Sequence, residues 1–252
     1  MKIRVLGCAG SISKESKTSA FLINDRILLD GGTICSSLSP EEIRPLKNIF
    51  ISHPHFDHVK GLPTLAENLV FMQETIPVTI HGSEQTLNSI RQHLMNGIIW
   101  PDFSVLPNEQ TPILKYSRLD EGVAVSLDGL SVTPYFLFRN FSDFGYWIDD
   151  GKSTLLYTGD IGTNSKLTIK GKVPDSMIIE VSFPNEKEEL ALRTGHLTPL
   201  LMIAMIKKLT VRPRNIFVAH LKAFFRDQII EEIQALGMQN LVILNDGDIL
   251  DI

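Results

Sequence analysis

Short apolar, β-branched runs recur along the first hundred residues. Those at 3–6, 20–23, 27–29, 49–52 and 78–80 predict strands. Helices are predicted at 63–74 and at 84–96, the second with Ser83 as N-cap and Gly97 as its stop. The second half adds strands at 132–138, 146–148, 154–158 and 177–180. A helix at 199–209 opens with Thr198 as cap and Pro199 in its first turn. A strand at 216–218 and a helix at 226–236 follow, the helix ending at Gly237. Runs at 241–244 and 249–252 flank Asn245-Asp246-Gly247 and are expected to pair as a hairpin. Sheets with helices packed outside fit this order. Periodicity alone stops at an α/β or α+β unit, expected as a single domain over residues 1–252.

Composition narrows the classes. Hydrophobic residues are 43% and charged residues 21%, an ordinary globular balance that excludes a disordered or fibrous chain. The 24 Lys+Arg against 29 Asp+Glu give a net charge of −5, which argues against a broad nucleic-acid footprint. Cys8 and Cys35 are too few for a disulfide framework, and a reduced, cytoplasmic setting is expected. Val5-Leu6-Gly7-Cys8 has the look of a lipoprotein cleavage box but no apolar region precedes it, so no signal peptide is expected. No apolar run approaches the roughly 20 residues of a membrane span. Gly7-Cys8-Ala9-Gly10-Ser11 lacks the spacing of a phosphate loop and reads as a strand-end turn.

The most informative segment is Ile51-Ser52-His53-Pro54-His55-Phe56-Asp57-His58, directly after a predicted strand. Three imidazoles and a carboxylate within six residues are ligands suited to zinc and its first-row neighbours. On extended backbone His53 and His55 point to the same side and can grip one ion. Asp57 and His58, after the chain turns, can serve a second.

His-x-His-x-Asp-His after a strand resembles the signature of the metallo-β-lactamase superfamily. Leu29-Asp30-Gly31-Gly32 resembles its early turn, Tyr157-Thr158-Gly159-Asp160 its strand-end aspartate, and Val218-Ala219-His220 its last ligand histidine. The resemblance implies an α+β fold, an αββα sandwich of two mixed sheets with helices on both outer faces. It also implies one or two divalent ions, zinc first, with manganese or iron as alternatives. By family position His53, His55 and Asp160 hold the first ion, and Asp57, His58, Asp160 and His220 the second. The segments at 96–102, 180–185 and 195–199 are similar to class II 3′,5′-cyclic nucleotide phosphodiesterases, relatives of ribonuclease Z. In that family the histidine matching His196 is associated with catalysis.

The pattern breaks at one point. The family has a further first-site histidine about six residues before a Gly-aromatic pair, and counting back from Gly145-Tyr146 lands on Arg139. A guanidinium has no lone pair to give a metal. Three consequences are open: a weak first site completed by water, an empty first site with the Arg139 cation in its place, or Arg139 clamping a substrate phosphate. His81, at a turn before a helix, and His93, on a helix face, are read outside the ligand set.

The function so implied is hydrolysis of a 3′,5′-cyclic nucleotide (cAMP or cGMP) to the 5′-nucleotide by metal-bound hydroxide. A bound metal lowers the pKa of water from 15.7 toward about 7. Asp57 would orient or deprotonate that water, and His196 would protonate the leaving 3′-oxygen. The partner is then a small-molecule cyclic nucleotide. Nucleic acid and membrane are not expected, and a homodimer is allowed. Alternatives are a ribonuclease Z-like or other hydrolase of this fold, or a degenerate nucleotide-binding protein. The aromatic residues from Tyr135 to Trp147 read mostly as strand core, with one available to stack a purine. The charged stretch at 185–189 reads as a solvated loop near the mouth.

Overall fold

The computed structural model describes residues 1–137, 143–169 and 171–252. Arg139, expected at the substrate, lies outside the described residues.

Among the described residues fourteen strands form two sheets of seven. The first holds β1 (Lys2–Gly7), β2 (Ala20–Ile23), β3 (Ile27–Leu29), β4 (Asn48–Phe50), β5 (Val78–Gly82), β6 (Leu114–Arg118) and β14 (Ile249–Asp251), in the order β14-β1-β2-β3-β4-β5-β6. The second holds β7 (Val125–Leu127), β8 (Leu130–Phe136), β9 (Phe144–Asp149), β10 (Thr154–Tyr157), β11 (Ser176–Glu180), β12 (Asn215–Ala219) and β13 (Leu241–Ile243) in the order β13-β12-β11-β10-β9-β8-β7. Both sheets mix parallel and antiparallel pairs. The main helices are α1 (Pro40–Ile43), α2 (Phe56–Val59), α3 (Leu62–Phe71), α4 (Glu84–His93), α5 (Glu188–Thr194), α6 (Pro199–Ile206) and α7 (Arg226–Ala235).

Side-chain alternation along the strands generates the layers. Ile27 and Leu29 face inward with Phe21 and Phe50, against Tyr146, Ile148, Leu155 and Ile178 of the second sheet. Their neighbour Leu28 faces outward, with Ile49 and Ile80, onto Leu62, Leu65 and Leu69 of α3 and Leu87 of α4. In the second sheet Leu156, Met177 and Ile179 face outward onto Met202 and Ile206 of α6 and Ile229 of α7. Helix, sheet, sheet, helix is the expected αββα sandwich.

The expected C-terminal hairpin does not form. β13 pairs in parallel with β12, whereas β14 pairs antiparallel with β1 in the other sheet. The Asn245-Asp246-Gly247 turn carries the chain between sheets: Gly247 N–H donates to Val5 O at 2.8 Å, and Val5 N–H to Asp248 O at 2.9 Å. Asp57 and His58 stand on the one-turn helix α2 rather than on a plain turn. His81 is a buried residue of β5, not a turn residue. The 185–189 stretch is not a loop: a 3-10 turn runs directly into α5.

Candidate metal centre

The site lies at the ends of β3, β4, β10 and β12, where the chain leaves the two facing sheets. Its foundation is Asp30, fully buried and held at φ +56°, a left-handed conformation that Asp tolerates better than most residues. The Asp30 carboxylate accepts from Ser52 N–H at 2.7 Å, Ser52 Oγ at 2.8 Å, His58 Nδ1 at 2.7 Å and the Tyr157 hydroxyl. One buried anion thus fixes the strand exit that carries His53 and the ring of His58.

Three imidazoles are oriented alike. Ser52 Oγ spends its proton on Asp30, so toward His53 Nδ1, 3.0 Å away, it acts as acceptor. Ser182 Oγ donates to Glu180 Oε2 at 2.8 Å and so accepts from His220 Nδ1 at 2.9 Å. His58 Nδ1–H is committed to Asp30. Each Nδ1 is therefore a donor, and each Nε2 is turned into the site. Such outer partners are what fix the tautomer and aim of metal-binding histidines.

The Nε2 atoms converge with two carboxylates. His58 Nε2 is 3.2 Å from His220 Nε2 and 3.3 Å from Asp160 Oδ1. His220 Nε2 is 3.2 Å from both Asp57 Oδ2 and Asp160 Oδ1. His53 Nε2 is 3.5 Å from Asp160 Oδ2. Donor atoms of His53, His58 and Asp160 lie within 4.8 Å of one another, as do those of Asp57, His58 and His220, and those of Asp160, His196 and His220. His55 packs on His53, ring centroids 4.4 Å apart, but belongs to none of these inner groups.

This donor set fits divalent ions. His53 Nε2 and Asp160 Oδ1 are buried without a hydrogen-bond partner. Unmet buried polar atoms are costly, and two of them inside one cluster of donor atoms are what a bound cation would satisfy. Electrostatics agrees. Burial alone would lower the His58 pKa, yet Asp30 and Asp160 raise it well above the usual histidine value. The carboxylates thus hold positive charge there, which a metal supplies in exchange for a proton. Burial opposes ionisation of Asp57 and Asp160 as well, but the facing histidines hold both below the ordinary carboxylate range. His55 is lowered to about 4 by burial and then by His53.

Backbone geometry permits the convergence. Gly159 adopts φ +56°, and a Cβ there would sit 2.8 Å from Ser52 Cβ. Glycine therefore lets Asp160 approach His53. His220 itself holds φ +67°, its N–H donating to Cys8 O at 2.6 Å, a strained conformation of the kind concentrated at functional sites.

Beside this donor cluster lies a cavity of about 260 Å³ lined by His53, His55, Gln85, Asp143, Asp160 and His196 among others. His196 Nδ1 is 3.0 Å from Glu180 Oε1 and 3.9 Å from Asp160 Oδ2. Burial lowers the His196 pKa, but the Glu180 carboxylate, by charge and hydrogen bond, outweighs it and the net shift is upward. Glu180 is itself buried at the end of β11. Asp30, Ser52, Glu180 and Ser182 are hydrogen-bonded to the candidate donors and His196, and the sequence motifs assigned them no role. Their sequence signal was that all four lie inside motif segments, Asp30 at 29–32, Ser52 at 51–58, and Glu180 and Ser182 at 180–185.

Fold and donor set together define a hydrolase of the metallo-β-lactamase fold with a divalent-metal centre. The chain belongs to the family described as Beta-lactamase superfamily domain, whose profile matches residues 26–220. It is 24% identical to a probable 3′,5′-cyclic-nucleotide phosphodiesterase of Yersinia pestis, over 98% of this chain and 88% of that protein. A ribonuclease Z of Latilactobacillus sakei is 21% identical over 83% of this chain and 81% of its own length. Among solved structures, unliganded yeast PDE1 superposes with TM-score 0.80 at 18% identity, covering 100% of this chain and 99% of that one.

Proposed function

We propose that the protein is a metal-dependent phosphodiesterase that hydrolyses 3′,5′-cyclic nucleotides to 5′-nucleotides. The observation that carries this reading is the pairing, across one small cavity, of the metal-ligand cluster with the His196–Glu180 pair. A divalent ion, zinc by the imidazole-carboxylate donor set, would be held by His58, His220, Asp57 and Asp160, and a second by His53, His55 and Asp160. When bound, such ions supply an acidified water and charge neutralisation at the phosphoryl oxygens.

The chain's own groups do the rest. Asp57, kept ionised, orients the attacking water and takes the proton that the water gives up as its oxygen bonds to phosphorus. The water oxygen forms the new bond to phosphorus while the bond from phosphorus to the 3′-oxygen breaks. The departing 3′-oxygen takes a proton from His196, which Glu180 keeps charged. General acids of this kind contribute about 10²–10⁴-fold. Arg139, as a phosphate clamp, would neutralise a non-bridging oxygen.

Support for a cyclic nucleotide over a long RNA comes from three facts. The net charge is −5, the cavity is only about 260 Å³, and the relatives matched over most of both chains include proteins named for that activity. The free cysteines Cys8 and Cys35 fit a reducing, cytoplasmic setting.

The test is to assay chelator-stripped, zinc-reloaded protein on cAMP, cGMP and a tRNA precursor side by side. The proposal expects repeated turnover of a cyclic nucleotide to the 5′-monophosphate. Cleavage of the RNA with the cyclic nucleotides untouched would replace it by the ribonuclease Z reading. Binding of a cyclic nucleotide without turnover would leave only a nucleotide-binding protein.

A further inference from the structure

The first metal position has a ligand problem. Three residues of family position face it, His53, His55 and Asp160, and the residue at the fourth is an arginine that cannot ligate. We infer that Asp143 supplies the missing ligand, so that the first ion is held by His53, His55, Asp160 and Asp143. The inference rests on the metal-centre reading given above.

Three observations place Asp143 there. It immediately precedes β9, and the next residue, Phe144, donates its N–H to Ser52 O at 2.9 Å. That bond clamps residue 143 beside the strand exit where His53 begins. The Asp143 side chain lines the same cavity as His53, His55 and Asp160. It is half-buried, yet among the described residues no hydrogen bond or ion pair is made to its carboxylate. Asp143 shares the cavity lining with Asp160, and the two like charges disfavour one another, a repulsion that a cation held by both would relieve.

His55 and Asp143 then play matching parts. Both line the cavity, and both stand outside the inner donor groups built on Asp160. With His53 and Asp160 they would make up the residues that hold the first ion. Each ion would have two imidazoles and two carboxylates, with Asp160 common to both. Replacing an imidazole by a carboxylate makes the first site harder, so it should accept manganese or ferrous iron more readily than a three-histidine site would.

The experiment counts metal. Wild type, Asp143→Ala, Asp143→Asn and Asp143→His are stripped with chelator, saturated with zinc or with manganese, desalted and analysed for metal per chain. Thermal unfolding followed by circular dichroism checks that each variant is folded. Wild type is expected to hold about two ions. Asp143→Ala should hold about one, with first-ion affinity down by about ten-fold or more. The nearly isosteric Asp143→Asn should also lose the first ion, which keeps the test valid if the alanine variant unfolds. Asp143→His should regain zinc but not manganese. Two ions retained in Asp143→Ala or Asp143→Asn, or one ion in wild type, would overturn the assignment of Asp143 and leave the phosphodiesterase proposal standing. No ion in wild type would overturn both.

Discussion

The Glu180 carboxylate and the His196 ring meet at 3.0 Å, Oε1 to Nδ1, inside a wall where Glu180 is 2% exposed. A buried anion next to an imidazole favours the imidazolium, and the upward shift of His196 follows from it. The same carboxylate binds Ser182, and through it the ring of His220. One buried acid therefore serves both the proposed general acid and a metal ligand.

Replacing Glu180 by Gln should lower kcat by about 10²–10³-fold while changing KM little, since the lost interaction acts on the protonated His196. The alkaline limb of the kcat–pH profile should move to lower pH, because His196 loses the charge that raises its pKa. A profile of unchanged shape would assign Glu180 a purely structural part.

Asp30 predicts a stability effect. Its two oxygens take four hydrogen bonds, from Ser52 N–H, Ser52 Oγ, His58 and Tyr157. In Asp30→Asn one oxygen becomes an NH₂ group facing those donors. Denaturant unfolding of the metal-free protein should show a loss of about 3–5 kcal/mol, the cost of breaking a buried charged network. A change below about 1 kcal/mol would contradict the structure at this point.

Much of this was legible in the chain, for physical reasons that differ by residue. His53, His55, Asp57 and His58 stood out as candidate donors because imidazoles and a carboxylate are contiguous in the sequence. Asp160 and His220 were readable only through the order of motifs, since a lone strand-end Asp or His has ordinary structural uses. Asp30, Glu180 and Asp143 were not assigned roles, because an acidic residue's burial is decided only when distant strands close over it. The Asn245-Asp246-Gly247 turn misled for a related reason. A turn fixes a local change of direction, but the ladder partners of β13 and β14 are chosen by two different sheets. Strands β6 and β7 escaped notice as part-exposed edge strands without apolar runs.

His81 predicts a pH effect on stability. Its ring stacks on Phe50 at 4.5 Å and its Nε2 lies 2.9 Å from Asn48 Oδ1, and burial lowers its pKa from 6.5 to about 4. The folded pKa is below the unfolded one, so as pH falls the unfolded chain takes up the proton first. Stability is then full above pH 6.5 and is lost as pH falls toward about 4, by about 3 kcal/mol at most from this residue. In His81→Gln that part of the acid loss should vanish when urea unfolding is compared at pH 7 and pH 4.5.

Gly10 predicts a local lesion. A Cβ at this position would lie 2.6 Å from His220 Nδ1. Gly10→Ala should displace the His220 ring and weaken the second ion about 10–100-fold, the range found when support of a ligand histidine is lost. Competition with a coloured chelator would read that change, and unchanged affinity would mean the ring is not held where the structure has it.

Arg139 predicts a change in substrate affinity. As a phosphate clamp, its replacement by Ala should raise KM for the cyclic nucleotide about ten-fold or more with the metal count unchanged. A fall in metal content instead would tie Arg139 to the first site.

The most direct measurement is the metal content of protein purified without chelator, by elemental analysis. The convergence of His53, His58, His220, Asp57 and Asp160 predicts about two first-row divalent ions per chain. Their removal should lower thermal stability, by about 2.7 kcal/mol for each ion whose free concentration stood at 100 times its Kd. Protein that binds no divalent ion, even after incubation with excess zinc and manganese, would contradict the metal centre and the hydrolytic function built on it.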